Sequence, residues 1–161
     1  MYGGNLTEVL KNLCKCDFIR EYSAYGKKEK YAFEQVCLHH LIQIRGALSI
    51  KGVLTNVCTW ASPKQTDKDG TEWPGVQIDL LLCRGDHIID VCEMKYCQAE
   101  FVVTGKYAEQ LRERNAVFTH FTKTKDTIHT VLVTTYGLKQ NNYSDSIYST
   151  VTMDDLFQFE R

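Results

Sequence analysis

Two mostly apolar runs of this sequence contain three charged side chains whose types and positions make them candidates for a reactive site. The stretch from residue 75 to residue 96, GVQIDLLLCRGDHIIDVCEMKY, carries Asp79 in its first run and Glu93 and Lys95 in its second. Burying an unpaired carboxylate is costly, and two carboxylates at short range repel each other unless a cation lies between them. Oxygen ligands that leave room for water are typical of Mg²⁺. We therefore predict that Asp79, Glu93 and the backbone carbonyl of Met94 bind Mg²⁺ or Mn²⁺.

Lys95 extends this pattern from metal binding to catalysis. Side chains two residues apart on a strand share a face, so Lys95 is expected beside Glu93 and the cation. From there its ammonium group would orient an attacking water and stabilise negative charge on phosphorus. These residue types indicate metal-dependent hydrolysis of a phosphodiester bond. An exposed Glu-Lys pair on an edge strand, without a catalytic role, is the structural alternative.

The two apolar runs are predicted to be neighbouring antiparallel strands. We expect a three-residue loop that closes between Cys83 and His87. This register would place Asp79 opposite Val91 and make Glu93 its diagonal neighbour on the same face.

Hydrophobic patterns on either side of the hairpin predict the other elements. Residues 31–48 carry an apolar stripe at helical spacing with Glu34 beside it, residues 53–61 are rich in strand formers, and a polar loop follows. A second helix begins near Thr104, an apolar strand ends at Gly137, and Thr152 is the predicted N-cap of a last short helix. The order helix, three strands, helix, strand predicts an α/β fold with a mixed central sheet and a helix on each face.

The N-terminal part has a different pattern. Residues 5–19 show helical spacing, and a strand or wing is predicted up to Gly26. We therefore predict a small helical and wing-like appendage over residues 1–30 and a main domain over residues 31–161.

The charged residues and the order of elements together resemble the PD-(D/E)XK nuclease superfamily, which has a restriction-endonuclease-like core. Asp79, Glu93 and Lys95 match its motif of an Asp followed by Glu-x-Lys on the next strand, and Glu34 matches the acidic residue often found on its first helix. The resemblance implies that Asp79, Glu93, Lys95 and Glu34 are catalytic, with Glu34 as an outer or second-metal carboxylate.

Longer motifs narrow this resemblance. YAFE, QIDLLLCRGDHIIDVCEMKY, FVVTGKYAEQL, TTYGLKQNNYSDSI and VTMDDLF are similar to the C-terminal domain of AAA-type ATP-binding proteins of bacteria and archaea, and they span residues 31–157. The resemblance implies an ATPase partner domain, because this chain has no GxxxxGK[ST] phosphate loop. Residues 1–28 resemble the end of a winged-helix region, joined near Lys30 without the longer connection of the family. We expect that segment to pack atypically or to exchange between two chains, which would give a homodimer.

Several other residues are candidates for binding substrate. Tyr107 and Gln110 lie one turn apart on the second helix, and Gln77 lies two residues before Asp79. By the same resemblance they contact substrate or the attacking water, with packing and capping as the alternative. A phosphate-binding patch is predicted from Lys123 and Lys125 together with Lys106, Arg112 and Arg114, with a solvated face as the alternative.

Zinc binding and base stacking are weaker interpretations. The cysteines and histidines at positions 14, 16, 37, 39 and 40 lack the paired spacing of a closed zinc site, and Cys37 belongs to the apolar stripe. Trp60 and Trp73 would either stack on bases or, as we favour, anchor the core and the loop between strands.

Composition limits the classes of function. A net charge of −1 gives no overall basic field, so nucleic-acid binding must depend on a local patch or on metal ions. Seven cysteines without a CxxC pair, and no apolar run of about 20 residues, favour a cytoplasmic protein without a membrane partner. The favoured function is metal-dependent cleavage of nucleic acid, with DNA favoured over RNA. The alternative is a nucleic-acid-binding or interaction module that retains the nuclease fold as an accessory to an AAA-type ATPase, with little or no catalysis alone.

Overall fold

A computed structural model describes residues 28–158 of the chain. The helices are α1 (Lys28–His39), α2 (Leu41–Ala47), α3 (Gly105–Thr122) and α4 (Met153–Leu156). The strands are β1 (Thr55–Ser62), β2 (Gln65–Thr66), β3 (Glu72–Trp73), β4 (Val76–Arg84), β5 (Ile88–Lys95), β6 (Phe101–Val102), β7 (Thr127–Thr134), β8 (Leu138–Lys139) and β9 (Ser149–Thr152). A short 3₁₀ helix, Ser144–Ser146, precedes β9. The long elements therefore follow the predicted order.

Five strands form the central sheet, in the order β1-β4-β5-β7-β9. β1, β4 and β5 pair antiparallel, whereas β7 lies parallel to both β5 and β9. The connection from β5 to β7 contains α3, as parallel neighbours require a long crossover. The predicted α/β class with a mixed central sheet is confirmed.

Apolar side chains pack a helix against each face of this sheet. On one face, α1 and the sheet share a cluster that includes Phe33, Cys37, Leu80, Leu82, Cys92, Met94, Val131, Val133 and Val151. On the other face, two clusters join α3 to the sheet, with Leu81, Val91 and Phe118 in one and Leu111 and Leu132 in the other. Each of these side chains is at most 4% exposed, and burying one contributes about 1.5–3 kcal/mol. The two helices therefore clamp the middle of the sheet, where the charged residues lie.

The first helix is broken at His40, where the sequence predicts one helix over residues 31–48. His40 has φ −115° and ψ 31°, and its ring Nδ1 lies 2.7 Å from the carbonyl oxygen of Val36. That carbonyl would accept the main-chain N–H of residue 40 in a continuous helix. The N–H donates to the carbonyl of Cys37 instead. The single-helix prediction is wrong because this side chain competes with the backbone for its carbonyl.

Side-chain caps define the helix boundaries that the sequence predicts best. The hydroxyl oxygen of Thr104 accepts from the main-chain N–H of Tyr107, 3.2 Å away, and α3 starts at the next residue. Thr152 begins α4 through a reciprocal capping box with Asp155. Both predicted N-termini are confirmed.

The segment between β1 and β4, predicted to be a polar loop, contains the small β2–β3 hairpin. Trp73 of this hairpin stacks on His120 of α3 with ring centroids 4.4 Å apart, and His120 Nε2 lies 2.9 Å from a carboxylate oxygen of Asp67. These contacts tie the segment to α3. The loop prediction misses the hairpin because its packing partner is remote in sequence.

The predicted appendage over residues 1–30 lies outside the described residues, except for residues 28–30, which already belong to α1. The predicted helix over residues 5–19 and the strand or wing up to Gly26 fall in the part that is not described. No helix within residues 28–158 is long and apolar enough to cross a membrane.

Candidate functional site

The candidate site lies where β4 and β5 stop pairing with each other. The ladder between them ends at the pair Leu80 and Cys92, although both strands continue beyond it. Past that point β4 stays paired with β1, and β5 stays paired with β7. The sheet therefore opens into a gap, and Asp79 and Glu93 are the first residues beyond the last pair.

The turn that sets this register is displaced by one residue from its predicted position. The loop has the predicted three residues, but it closes between Arg84 and Ile88 rather than between Cys83 and His87. His87 is itself in the loop, with a left-handed φ of 64°. Three-residue hairpin loops need one residue in this conformation, and no glycine marks its position here.

The displaced turn changes the relation between the two carboxylates. Leu81 pairs with Val91, so the same register, continued into the gap, brings Asp79 level with Glu93. The prediction that Asp79 faces Val91, with Glu93 as its diagonal neighbour, is therefore wrong by two residues. The correction makes the two carboxylates direct neighbours.

A bulge in β4 occurs at the same point. Two residues of β4, Asp79 and Leu80, lie opposite Thr59 of β1 alone. Ile78 and Leu81 consequently belong to one cluster, and the strict alternation of a regular strand is interrupted. Bulges re-aim side chains and are common beside active sites.

A pocket of about 210 Å³ occupies the gap between the strands. Its wall contains five of the predicted site residues, Glu34, Gln77, Asp79, Glu93 and Met94, together with Cys92 and Arg114. These residues come from α1, β4, β5 and α3, so both helical layers and the sheet contribute. The structure thus brings the three predicted carboxylates to one place.

Glu93 is held by two cationic side chains. Its Oε1 lies 2.6 Å from Nζ of Lys95, and its Oε2 contacts Nη1 of Arg114. The Glu93 side chain is only 14% exposed, and burial by itself raises its pKa. The charge of Arg114 and then that of Lys95 outweigh burial and lower the pKa of Glu93. Glu93 is therefore ionised at neutral pH, as a metal ligand must be.

The other two carboxylates have different surroundings. Asp79 is half-buried, and its Oδ1 accepts a hydrogen bond of 2.6 Å from Nε2 of Gln77. Glu34 is 8% exposed and reaches the pocket from α1. Gln77 therefore orients Asp79, and its predicted contact with substrate stays a prediction.

The donor chemistry of the pocket fits a hard divalent cation. Among the described residues, no group of three or more His, Cys, Asp or Glu side chains could hold a metal ion as the side chains now stand. Mg²⁺, however, keeps several waters and needs only one or two carboxylates. Asp79 and Glu93 supply these, and Met94 borders the same pocket. The cysteine in the wall, Cys92, is unsuitable as a ligand, because burial raises the pKa of its thiol.

The predicted substrate residues of α3 lie in two different settings. Tyr107 is half-buried, and burial, then the charge of Glu93, raise its pKa. Nζ of Lys95 lies 5.5 Å from the centroid of the Tyr107 ring. Tyr107 therefore borders the Glu93–Lys95 pair, whereas Gln110 is exposed and lies outside the pocket wall.

The predicted lysine patch does not reach the pocket. Lys123 and Lys125 are exposed and connect α3 to the first residue of β7. That residue pairs with the first residue of β5. Glu93 is five residues further along β5, roughly 17 Å away at the rise of a strand. Any contact of these lysines with phosphate would be remote from the carboxylates.

Arg114 is the residue whose place the sequence interpretation missed. It is predicted as one member of a basic patch, but its side chain is only 14% exposed and lies in the pocket wall. A signal exists in the sequence, because Arg114 follows the buried Leu111 by three residues and precedes the buried Phe118 by four. That spacing places it on the sheet-facing stripe of α3, whereas Arg112 is exposed.

The weaker interpretations have simple structural outcomes. Cys37 is fully buried, and burial raises its pKa to about 12, so it is a thiol rather than a ligand thiolate. Cys14 and Cys16 lie outside the described residues. Trp60 packs edge-on against Phe118, with centroids 5.1 Å apart, and Trp73 stacks on α3, so both tryptophans anchor packed parts of the fold.

A larger cavity, of about 330 Å³, lies between α3 and the 3₁₀ helix. Its wall includes Arg112, Asn115, Thr130 and Ser146, and Asp145 is its one carboxylate. It lacks paired acids and a lysine beside them. The smaller pocket is therefore the better candidate for hydrolytic chemistry.

Comparison with known proteins gives little further information. No family model matches the chain, and no curated protein matches it. Among solved structures, the crystal structure of a protein of unknown function, AF1548, is similar with a TM-score of 0.45 and 12% sequence identity. The similarity covers 74% of this chain and 56% of that chain, so this chain spans little more than half of that protein. At this level of similarity neither a fold family nor an activity transfers to the chain.

Proposed function

We propose that this chain is a metal-dependent nuclease domain with a restriction-endonuclease-like core of the PD-(D/E)XK type. One observation carries the proposal: Asp79, Glu93 and Glu34 border a single pocket at the gap between β4 and β5. Lys95 lies on the same strand as Glu93, with its ammonium group 2.6 Å from that carboxylate. Three carboxylates at one gap in the sheet are costly for stability, and such a cluster is expected at a functional site.

Each residue has a distinct role in this proposal. Asp79, Glu93 and the carbonyl of Met94 bind Mg²⁺ or Mn²⁺, and Glu34 acts as an outer carboxylate or as a ligand of a second ion. A bound ion would stabilise negative charge on the phosphate oxygens and lower the pKa of a water bound to it. Lys95 orients the attacking water and stabilises the charge that develops on the phosphate oxygens. Gln77 holds Asp79 in place.

The proposed substrate is nucleic acid, with DNA favoured over RNA. The chain has a net charge of −1, so its general electrostatic field does not attract a polyanion. A divalent cation in the pocket would provide that attraction locally. A separate AAA-type ATPase domain is the proposed partner, and it would deliver the substrate.

Calorimetry with Mg²⁺ and Mn²⁺ tests this proposal, followed by incubation with plasmid DNA and single-stranded DNA. The wild type is expected to bind the ion and to cleave DNA only in its presence, and Glu93→Gln is expected to lose both properties. Glu109→Gln, which changes an exposed acid on α3, is the matched control and should behave as the wild type. A wild type that binds neither ion would overturn the proposal.

A specific observation supports a second candidate, an accessory module that binds nucleic acid without cutting it. Both oxygens of Glu93 already have cationic partners, which compete with a metal ion for this carboxylate. A binding module would retain its affinity for DNA in a chelator. Asp79→Asn would strengthen that affinity, because it removes a negative charge that repels phosphate.

A further inference from the structure

Arg114 is a largely buried cation with one carboxylate partner among the described residues. Its Nη1 contacts Glu93, but its Nε and Nη2 are buried and have no hydrogen-bond partner among the described residues. A buried guanidinium normally has its donors satisfied, because each unsatisfied donor costs desolvation energy. Within residues 28–158, the Glu93 carboxylate is the partner that holds this charge.

This contact engages the carboxylate that is proposed to bind the divalent ion. Lys95 takes one oxygen of Glu93 and Arg114 takes the other. The pocket wall also contains Asp79 and Glu34, so three carboxylates lie near two cations, Arg114 in the wall and Lys95 beside Glu93. Removing Arg114 would leave three negative charges and one positive charge, which favours entry of a cation.

We propose that Arg114 competes with the divalent ion for Glu93 and that it leaves Glu93 for a substrate phosphate. This inference rests on the proposed function. The guanidinium fork binds phosphate as well as carboxylate, so a phosphodiester in the pocket offers Arg114 a replacement partner. Metal binding and substrate binding are then coupled, and by linkage each raises the affinity for the other. Arg114 is a positioning residue in this scheme, because it acts through Glu93.

Arg112 provides the matched control. It has the same charge and lies two residues away on α3, but it is exposed and is not part of the pocket wall. A general effect of charge on the affinity for cations would be shared by Arg112→Gln and Arg114→Gln. An effect of the Glu93 contact would be specific to Arg114→Gln.

The test is calorimetry of Mg²⁺ binding, with and without an oligonucleotide whose phosphorothioate linkages slow cleavage. Without the oligonucleotide, Arg114→Gln is expected to bind Mg²⁺ about tenfold more tightly than the wild type. The oligonucleotide should raise the Mg²⁺ affinity of every variant, because the ion itself attracts phosphate, but the increase should be about tenfold larger in the wild type and Arg112→Gln than in Arg114→Gln. Thermal unfolding of each variant in chelator shows that it is folded.

Two results would separate failure of this inference from failure of the proposed function. If the wild type and Arg114→Gln bind Mg²⁺ with equal affinity, or the variant binds it more weakly, only the role of Arg114 is overturned. If no variant and no wild-type protein binds Mg²⁺, the proposed function fails as well. Should Arg114→Gln not fold, Arg114→Lys keeps the charge without the fork. It should then lose this larger response to the oligonucleotide while remaining at the affinity of the wild type without it.

Discussion

Glu93 shows how the charge of a single buried residue is compensated. Its side chain is 14% exposed, and both carboxylate oxygens have cationic partners. The cost of desolvating an ion pair can exceed the attraction between its members, but removing one member strands the other. The Glu93–Arg114 contact is therefore expected to matter for stability mainly when only one partner is removed.

Glu93→Gln should lower the free energy of unfolding by about 3 kcal/mol, because it leaves the buried guanidinium of Arg114 without a negative partner. Combining it with Arg114→Gln should restore part of that loss, since no guanidinium is then stranded. Urea denaturation in chelator gives the four free energies of the double-mutant cycle. Asp79→Asn is the comparison, with an expected change under about 1 kcal/mol because Asp79 is half-buried and bonded to a neutral amide. Additive losses in the double variant would contradict the role given to this ion pair.

At the scale of elements, backbone irregularities determine where the strands end and what they present. The bulge at Asp79 and Leu80 and the left-handed His87 together set the register that brings Asp79 level with Glu93. Another left-handed residue, Lys123, with φ 53°, is the C-cap at which α3 ends. His87 and Lys123 are non-glycine residues in the left-handed conformation, which is costly for them.

Replacing Lys123 with glycine should stabilise the protein by about 0.5–1 kcal/mol. Lys123 is exposed, and its N–H donates to the carbonyl of Thr119 as a C-terminal cap. Glycine adopts the left-handed conformation without the steric cost, and this gain exceeds its larger loss of entropy on folding. Thermal and urea unfolding measure the change. Lys125→Gly, at a position without a positive φ, should be neutral or destabilising, and an equal gain there would refute the argument.

Local sequence signals predict where helices and strands lie better than they predict helix breaks and strand register. Thr104 and Thr152 identify helix starts because a cap bonds within its own turn. The break at His40 depends on a side chain that takes a carbonyl from the helix, and hydrophobic periodicity contains no such information. Register is equally hidden, because His87 gives no glycine signal for the left-handed position.

For the candidate site, too, residue identities were predictable from sequence, whereas a contact between elements was not. Asp79, Glu93 and Lys95 could be selected from residue type and spacing, and Glu34 from the resemblance; the structure places the three acids at one pocket. The Arg114 contact could not be inferred from charge pattern alone, because a basic residue on a helix is usually solvated. Its position three residues after Leu111 indicates that it lies on the buried face of α3. Only the packing of α3 against the sheet shows that Glu93 is its partner there.

At the scale of the whole molecule, the site depends on both layers around the sheet. α1 supplies Glu34 and α3 supplies Arg114, while the strands supply Asp79 and Glu93. Within the described residues, apolar clusters pack α1 against one face of the sheet and α3 against the other, so the core flanks the pocket on both sides. The pocket and the core that supports it therefore belong to one packed unit of ordinary domain size.

The sequence predicts a domain boundary near residue 30, so removal of residues 1–27 is expected to leave this unit folded. We expect the shortened chain to unfold in one cooperative transition with a midpoint within about 3 °C of the full chain, since a change of 1 kcal/mol shifts the midpoint by a few degrees at this size. Calorimetry measures the midpoint, and light scattering measures the mass of both chains. A full chain that is dimeric beside a monomeric shortened chain would support exchange of the N-terminal segment between two copies. Loss of the cooperative transition on shortening would instead show that residues 1–27 are part of the core, and the predicted boundary near residue 30 would be wrong.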